Sequence, residues 1–149
     1  MKNVIKIIAI LFLFSACEQV PFFSSSGDST PISLELEMTS SDIKTLQDIE
    51  ADFTVTNVSD DQVTYGFKNS CQHGFIVERN ENKLFDSTGA IGCLQVITEL
   101  KLEPEQSKTY QISLEGMQGS DSLEVGTYKL KAFLQNERSP KVNTTFVVE

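Results

Sequence analysis

The stretch Gly126-Thr127-Tyr128-Lys129-Leu130-Lys131-Ala132-Phe133-Leu134 decides the fold class. Tyr128, Leu130, Ala132 and Leu134 fall on one phase of an alternation, and Thr127, Lys129, Lys131 and Phe133 on the other. Successive strand side chains point to opposite faces, so this period predicts a half-buried strand. The same period extends outward. Downstream, Val142, Thr144, Phe146 and Val148 share a phase to the end of the chain. Upstream, Tyr110, Ile112 and Leu114 alternate with Thr109, Gln111 and Ser113, before a small polar loop over residues 116–122. Ile32, Leu34, Leu36 and Met38 alternate with Ser33, Glu35 and Glu37, and residues 49–56 and 63–67 repeat the pattern. Residues 74–78 and 83–86 read as a strand and its hairpin partner, separated by Asn80-Glu81-Asn82. Residues 93–102 hold Leu94, Val96, Ile97, Leu100 and Leu102 out of a single phase, and read as two short strands or one with a bulge. Residues 57–61 and 104–106 are turns by composition. No long helical period is present, and residues 40–46 have room for one turn.

Eight or nine short strands with regular turn signals predict an all-β domain, an antiparallel sandwich or barrel. The Gly126-Thr127-Tyr128 step is similar to one common in immunoglobulin-like domains. There the tyrosine ring covers a sandwich end and its hydroxyl bonds back to the chain; the plain alternative is a core aromatic. The expected fold is therefore an antiparallel immunoglobulin-like β-sandwich over residues 32–149.

The chain has 149 residues, 12 Lys and Arg against 21 Asp and Glu, and a formal net charge of −9. Its length fits one ordinary domain, and its 40 % hydrophobic content is enough for a core. The acidity argues against nucleic acid as a partner, because phosphate binding needs clustered Lys and Arg. A single His leaves little for a His-rich metal centre or a His-based triad. Composition thus points away from an enzyme, and no cofactor is expected.

The N-terminus reads as an address. Lys2 and Lys6 precede and interrupt an apolar run over residues 4–14. That run is short of the ~20 residues that cross a membrane, and fits the core of a secretory signal. It ends Leu13-Phe14-Ser15-Ala16-Cys17, which resembles the lipobox of bacterial lipoproteins, with Phe14 where Leu is usual. The resemblance implies cleavage before Cys17, a diacylglycerol thioether on Cys17 and acyl chains, palmitate among them, in the membrane. An ordinary signal cut near Ala16 would leave Cys17 a free thiol; an uncleaved anchor needs a longer run. Residues 1–16 are then a leader and residues 17–31 a lipidated tether rich in Ser, Gly and Pro. As a flexible coil the tether spans ~20 Å. Phe22 and Phe23 in it either dip into the lipid interface or pack on the domain. The expected location is the cell envelope, lipid-anchored and facing outside the cytoplasm.

With Cys17 allotted to lipid, Cys71 and Cys93 remain as a pair, and outside the cytosol disulfides persist. A bridge between them stabilises by roughly 3 kcal/mol on the loop-entropy account. Two sharper readings compete with it. Cys71, His73 and Cys93 offer two sulfurs and a nitrogen to a metal, but a structural zinc site takes four ligands and the spacing matches no finger. Cys71 with His73 as its base would make a nucleophile, but no third group follows. His73 is then expected to be a surface or edge polar residue. Asp60 and Asp61 read as an ordinary turn, with weak calcium binding as the alternative. Glu35 and Glu37 share a strand face of the solvated kind.

Four phrases from Leu34 to about Leu134 resemble the BsuPI-type intracellular proteinase inhibitor domain. They are Phe53-Thr54-Val55-Thr56-Asn57-Val58-Ser59, ending in an Asn-x-Ser turn; Ser70-Cys71-Gln72-His73-Gly74-Phe75-Ile76-Val77; Leu102-Glu103-Pro104-Glu105-Gln106; and the Gly126 to Leu134 run. Glu105 stands where the family's turn glycine is usual, and the family's tryptophan-containing middle segment has no tryptophan here. The resemblance implies an immunoglobulin-like sandwich and inhibition of serine proteases.

Two functions follow. The first is a non-enzymatic binding or structural module of the cell envelope, offering an edge strand or loop cluster to a protein partner. The alternative is a proteinase inhibitor acting through an exposed loop in extended form. Its candidate loops are residues 86–92, with Asp86, Thr88 and Ile91, and residues 116–122, with Met117 and Gln118. Ile91 or Met117 would fill an apolar pocket.

Overall fold

The computed structural model describes residues 30–115, 122–137 and 139–149. Cys17 and the tether up to Ser29, Met117 and Gln118 lie outside them. Among the described residues nine strands run β1 (Ile32–Met38), β2 (Glu50–Asn57), β3 (Val63–Phe67), β4 (His73–Arg79), β5 (Asn82–Asp86), β6 (Thr98–Leu102), β7 (Ser107–Ser113), β8 (Gly126–Leu134) and β9 (Lys141–Val148). A one-turn helix α1 (Ser87–Ala90) follows β5.

Every pairing is antiparallel. One sheet has the order β1-β2-β7, a second β5-β4-β8-β9, and β3 pairs with β6 as a separate ribbon. The apolar phases meet between the two sheets. Phe53 and Val55 of β2, Ile112 of β7, Phe75 and Val77 of β4 and Leu130 and Ala132 of β8 are all buried in one cluster. The ribbon adds Phe67, Leu100 and Leu102 to the same core. The predicted antiparallel β-sandwich is therefore the fold observed.

Tyr128 is 2 % exposed, its hydroxyl donates to the Glu124 carbonyl at 2.7 Å, and its ring stacks on Phe146. The expected back-bond to the chain is formed. Arg79 closes this end from above. Its guanidinium lies over the Tyr128 ring, bonds the Val125 carbonyl and pairs with Glu124. Gly126 has φ +151°, and a Cβ there would meet Arg79 Nη2 at 3.2 Å. The β4–β5 hairpin turns on Asn80 and Glu81, both with positive φ, which matches the right-handed twist of its strands.

Residues 93–97 depart from the strand expectation: only Thr98–Leu102 of that stretch is a strand. A disulfide and hydrogen bonds from Ser70 set the backbone there, rather than a sheet partner. The helical turn allowed for residues 40–46 falls at Leu46–Asp48, where Thr45 N, Thr45 Oγ1 and Lys44 N all donate to Asp48 Oδ2. Those donors hold the Asp48 carboxyl below its ordinary pKa. His73 opens β4, an inner strand, beyond the reach of its β5 pairing; it is partly buried, with its ring 4.7 Å from that of Tyr110.

Candidate functional site

The β3–β6 ribbon has a corner at each end. At the Val63 and Leu102 end stands Asn57, 0 % exposed. Its Nδ2 donates to the carbonyls of Asp61 (2.8 Å) and Leu102 (3.0 Å). Its Oδ1 accepts from Ser59 N and Ser59 Oγ. Both side-chain donors and both lone pairs are used. Its backbone N–H donates to Gln106, and its carbonyl accepts from Glu105 N. Glu105, where the family resemblance puts a glycine, has φ +61°.

The Phe67 and Thr98 end holds the candidate site. Cys71 and Cys93 are bonded, with Cα atoms 5.6 Å apart and a sequence separation of 22. Their sulfurs are therefore not thiolates, which removes both the metal and the nucleophile readings of Cys71, His73 and Cys93. Beside the bridge, residues 69–72 form a rail. Cys71 N donates to Asn69 Oδ1, Thr98 Oγ1 donates to the Asn69 carbonyl, and Gln72 Nε2 donates to the Glu99 carbonyl. Ser70 N donates to the Leu94 carbonyl at 3.0 Å, and Leu94 N donates to Ser70 Oγ at 2.9 Å. The Leu94 carbonyl also accepts from Val96 N at 2.8 Å, closing a three-residue turn around Gln95.

That pinned segment carries its apolar side chains outward. Leu94 is 71 %, Val96 48 % and Ile97 85 % exposed. Among the described residues the other exposed large aliphatics, Val58, Leu84, Val125 and Val147, come from separate parts of the chain. Three in four residues on one fixed loop form a concentrated patch, the kind of surface that marks a contact with another molecule.

A cavity of about 670 Å³ lies alongside, lined among others by Ser70, Cys71, His73, Ser87, Ile91 and Tyr110. The Tyr110 hydroxyl donates to Gln72 Oε1 at 2.8 Å. Burial pushes the Tyr110 phenol up to about 12 and the His73 imidazole down, so both are neutral at pH 7.

The loop over residues 86–92 is wound rather than extended. Asp86 caps α1, accepting from Thr88 N and Thr88 Oγ1, and pairs with Lys83 at 2.6 Å. The Lys83 ammonium first, and the Thr88 hydroxyl next, lower the Asp86 carboxyl to about 2. Ser87 is buried, with its Oγ accepting from Phe75 N at 2.7 Å. Thr88 faces β4 closely: a Cβ on Gly74 would meet its Cγ2 at 3.1 Å. Ile91 packs against the core. So Ile91 is drawn inward, and the outward residues are Leu94, Val96 and Ile97. The signal for them was their failure to share a phase just after a cysteine.

Residues 34–139 match the family model described as BsuPI, intracellular proteinase inhibitor. No curated protein matches the chain. Solved structures similar to it include a β-glucosidase from Erythrobacter marinus (15 % identity, TM-score 0.41), covering 76 % of this chain and 15 % of that one. A β-D-glucoside glucohydrolase from Trichoderma reesei is 12 % identical with TM-score 0.42, covering 79 % and 18 %. A β-glucosidase from Listeria innocua is 13 % identical with TM-score 0.38, covering 76 % and 16 %. The chain thus spans less than a fifth of the length of each of these three.

Proposed function

The chain belongs to the family of BsuPI intracellular proteinase inhibitors, and on that premise we propose that it is a proteinase inhibitor displayed outside the cytoplasm on a lipid anchor. The observation that carries inhibition is the extent of the family match. It runs over residues 34–139, from within β1 through the end of β8, and so takes in strands of both sheets and the ribbon. Inhibition needs no catalytic group, only a fixed surface that fits a protease better than it is turned over. A non-inhibitory envelope module, the first reading of the sequence, accounts for the same scaffold but not for the family. It therefore ranks second.

The place of action rests on the lipobox at Leu13-Phe14-Ser15-Ala16-Cys17 and on the Cys71–Cys93 bridge. Disulfides persist outside the reducing cytosol. The acyl chains on Cys17 supply the membrane attachment, since an acidic chain is repelled by an anionic lipid surface. Full-length protein in detergent, titrated against a panel of serine proteases, should abolish the activity of at least one at a stoichiometric ratio. No loss with any of them returns the chain to the envelope-module reading. Intact mass of the membrane-extracted protein should show residues 17–149 with added diacylglycerol and fatty acid. A full-length unmodified mass would remove the envelope from the proposal.

A further inference from the structure

We propose that residues 94–97, held by the Cys71–Cys93 bridge, are the surface that enters the protease, and that the partner is a protease with an apolar specificity cleft. This rests on the inhibitor reading and deepens it. Leu94, Val96 and Ile97 put three aliphatic side chains of one short segment into water at 71 %, 48 % and 85 % exposure. Their burial in an apolar cleft is favourable by the hydrophobic effect. The ordering that such a loop would otherwise need on binding is already done, by the disulfide at Cys93 and by Ser70 on both sides of the Leu94 peptide.

The same bonds decide how the loop binds. A substrate lies extended in a cleft and pairs its backbone with the enzyme as an added strand. Here the Leu94 N–H is engaged by Ser70 Oγ, and the Leu94 carbonyl by Ser70 N and Val96 N. The tight turn around Gln95 is not an extended chain. The segment therefore enters as a wedge of side chains, its peptide bonds held out of the geometry that cleavage requires. Residues 86–92 do not compete for the role, because α1 winds them and Ile91 packs inward.

The test uses the full chain in detergent against chymotrypsin, elastase and subtilisin, with trypsin, whose pocket takes basic residues, as the contrast. Inhibition of one of the first three but not of trypsin is expected. The double variant Leu94→Ser, Ile97→Ser should raise the inhibition constant on the order of a hundredfold. Val58→Ser and Val147→Ser, exposed aliphatics elsewhere, should leave it unchanged, and the mass of residues 93–98 should remain uncut. The proposal is overturned if the double variant, folded by circular dichroism, inhibits as the parent does, or if the loop is cut as inhibition proceeds. Either result leaves the inhibitor reading standing with another contact surface. Inhibition of trypsin alone overturns the apolar partner. Inhibition of none of the four sinks this proposal and the inhibitor reading together.

Discussion

The two corners of the β3–β6 ribbon solve the same problem in opposite ways. Each must connect the ribbon to the sheets without leaving backbone groups stranded. At the Val63 and Leu102 end the solution is a buried amide: Asn57 turns all its polar capacity inward and bonds both flanking loops. At the Phe67 and Thr98 end it is a covalent bridge plus Ser70, and the side chains of the segment it holds point outward. The first corner serves the fold, and its energy lies in satisfied hydrogen bonds. The second holds a shape that the fold itself does not use.

Mutations should divide along that line. Asn57→Ala strands the buried carbonyl of Leu102, frees that of Asp61, and should cost about 3 kcal/mol in denaturant unfolding. Leu94→Ser at the other corner should stay within about 0.5 kcal/mol. Comparable losses at the two positions would erase the contrast. Replacing both Cys71 and Cys93 by Ser should cost roughly 2 to 3 kcal/mol, read in the same unfolding experiment. It should also speed amide exchange at residues 94–97 while the amides of residues 57–59 keep their protection. Slowing or no change at 94–97 would show that Ser70 alone holds the loop.

Smaller effects sharpen the comparison. Glu105→Gly should stabilise by about 1 kcal/mol, because Glu105 sits at φ +61°, a conformation that costs L side chains and not glycine. A loss of stability would mean that the Glu105 side chain itself contributes to the Asn57 corner. The smallest effect concerns acid. Asp86 has its folded pKa lowered to about 2, so its contribution is present above the ordinary carboxylate range. It is lost as pH falls from about 4 towards 2. Asp86→Asn should therefore be less stable than the parent at pH 7, and the gap should narrow below about pH 4 and close as pH falls through about 2. A gap independent of pH would assign the effect to helix capping alone.

How much of this was legible follows from how local each signal is. Strand periods are local, so β1, β2, β3, β7, β8 and β9 were readable from alternation, β4 and β5 as an apolar run and its hairpin partner, and Tyr128 from its Gly-x-Tyr step. The bridge was readable because two cysteines remained once Cys17 was set aside. The corner role of Asn57 was not, because the Leu102 carbonyl to which its side chain donates lies far along the chain. Residues 57–61 look like any polar turn. Residues 94–97 misled for a different reason: aliphatic side chains normally announce burial, and here they announce exposure. Residues 86–92 carry loop-like letters, yet Asp86 supplies a cap that winds them. Glu105 was visible as a departure from the family phrase, and its positive φ explains why glycine suits that position.

The Cys71–Cys93 bridge has one more consequence. It encloses β4, β5 and α1 in a covalent ring, with the exposed Asn80-Glu81 hairpin tip at the far side. A single peptide cut anywhere in that ring opens it without separating the pieces. A nicked molecule stays in one piece until it is reduced, heavier only by the water that hydrolysis adds, and its β4 remains tethered beside β8 for re-pairing. The ring is damage tolerance: the hairpin tip can be clipped and the two pieces stay joined.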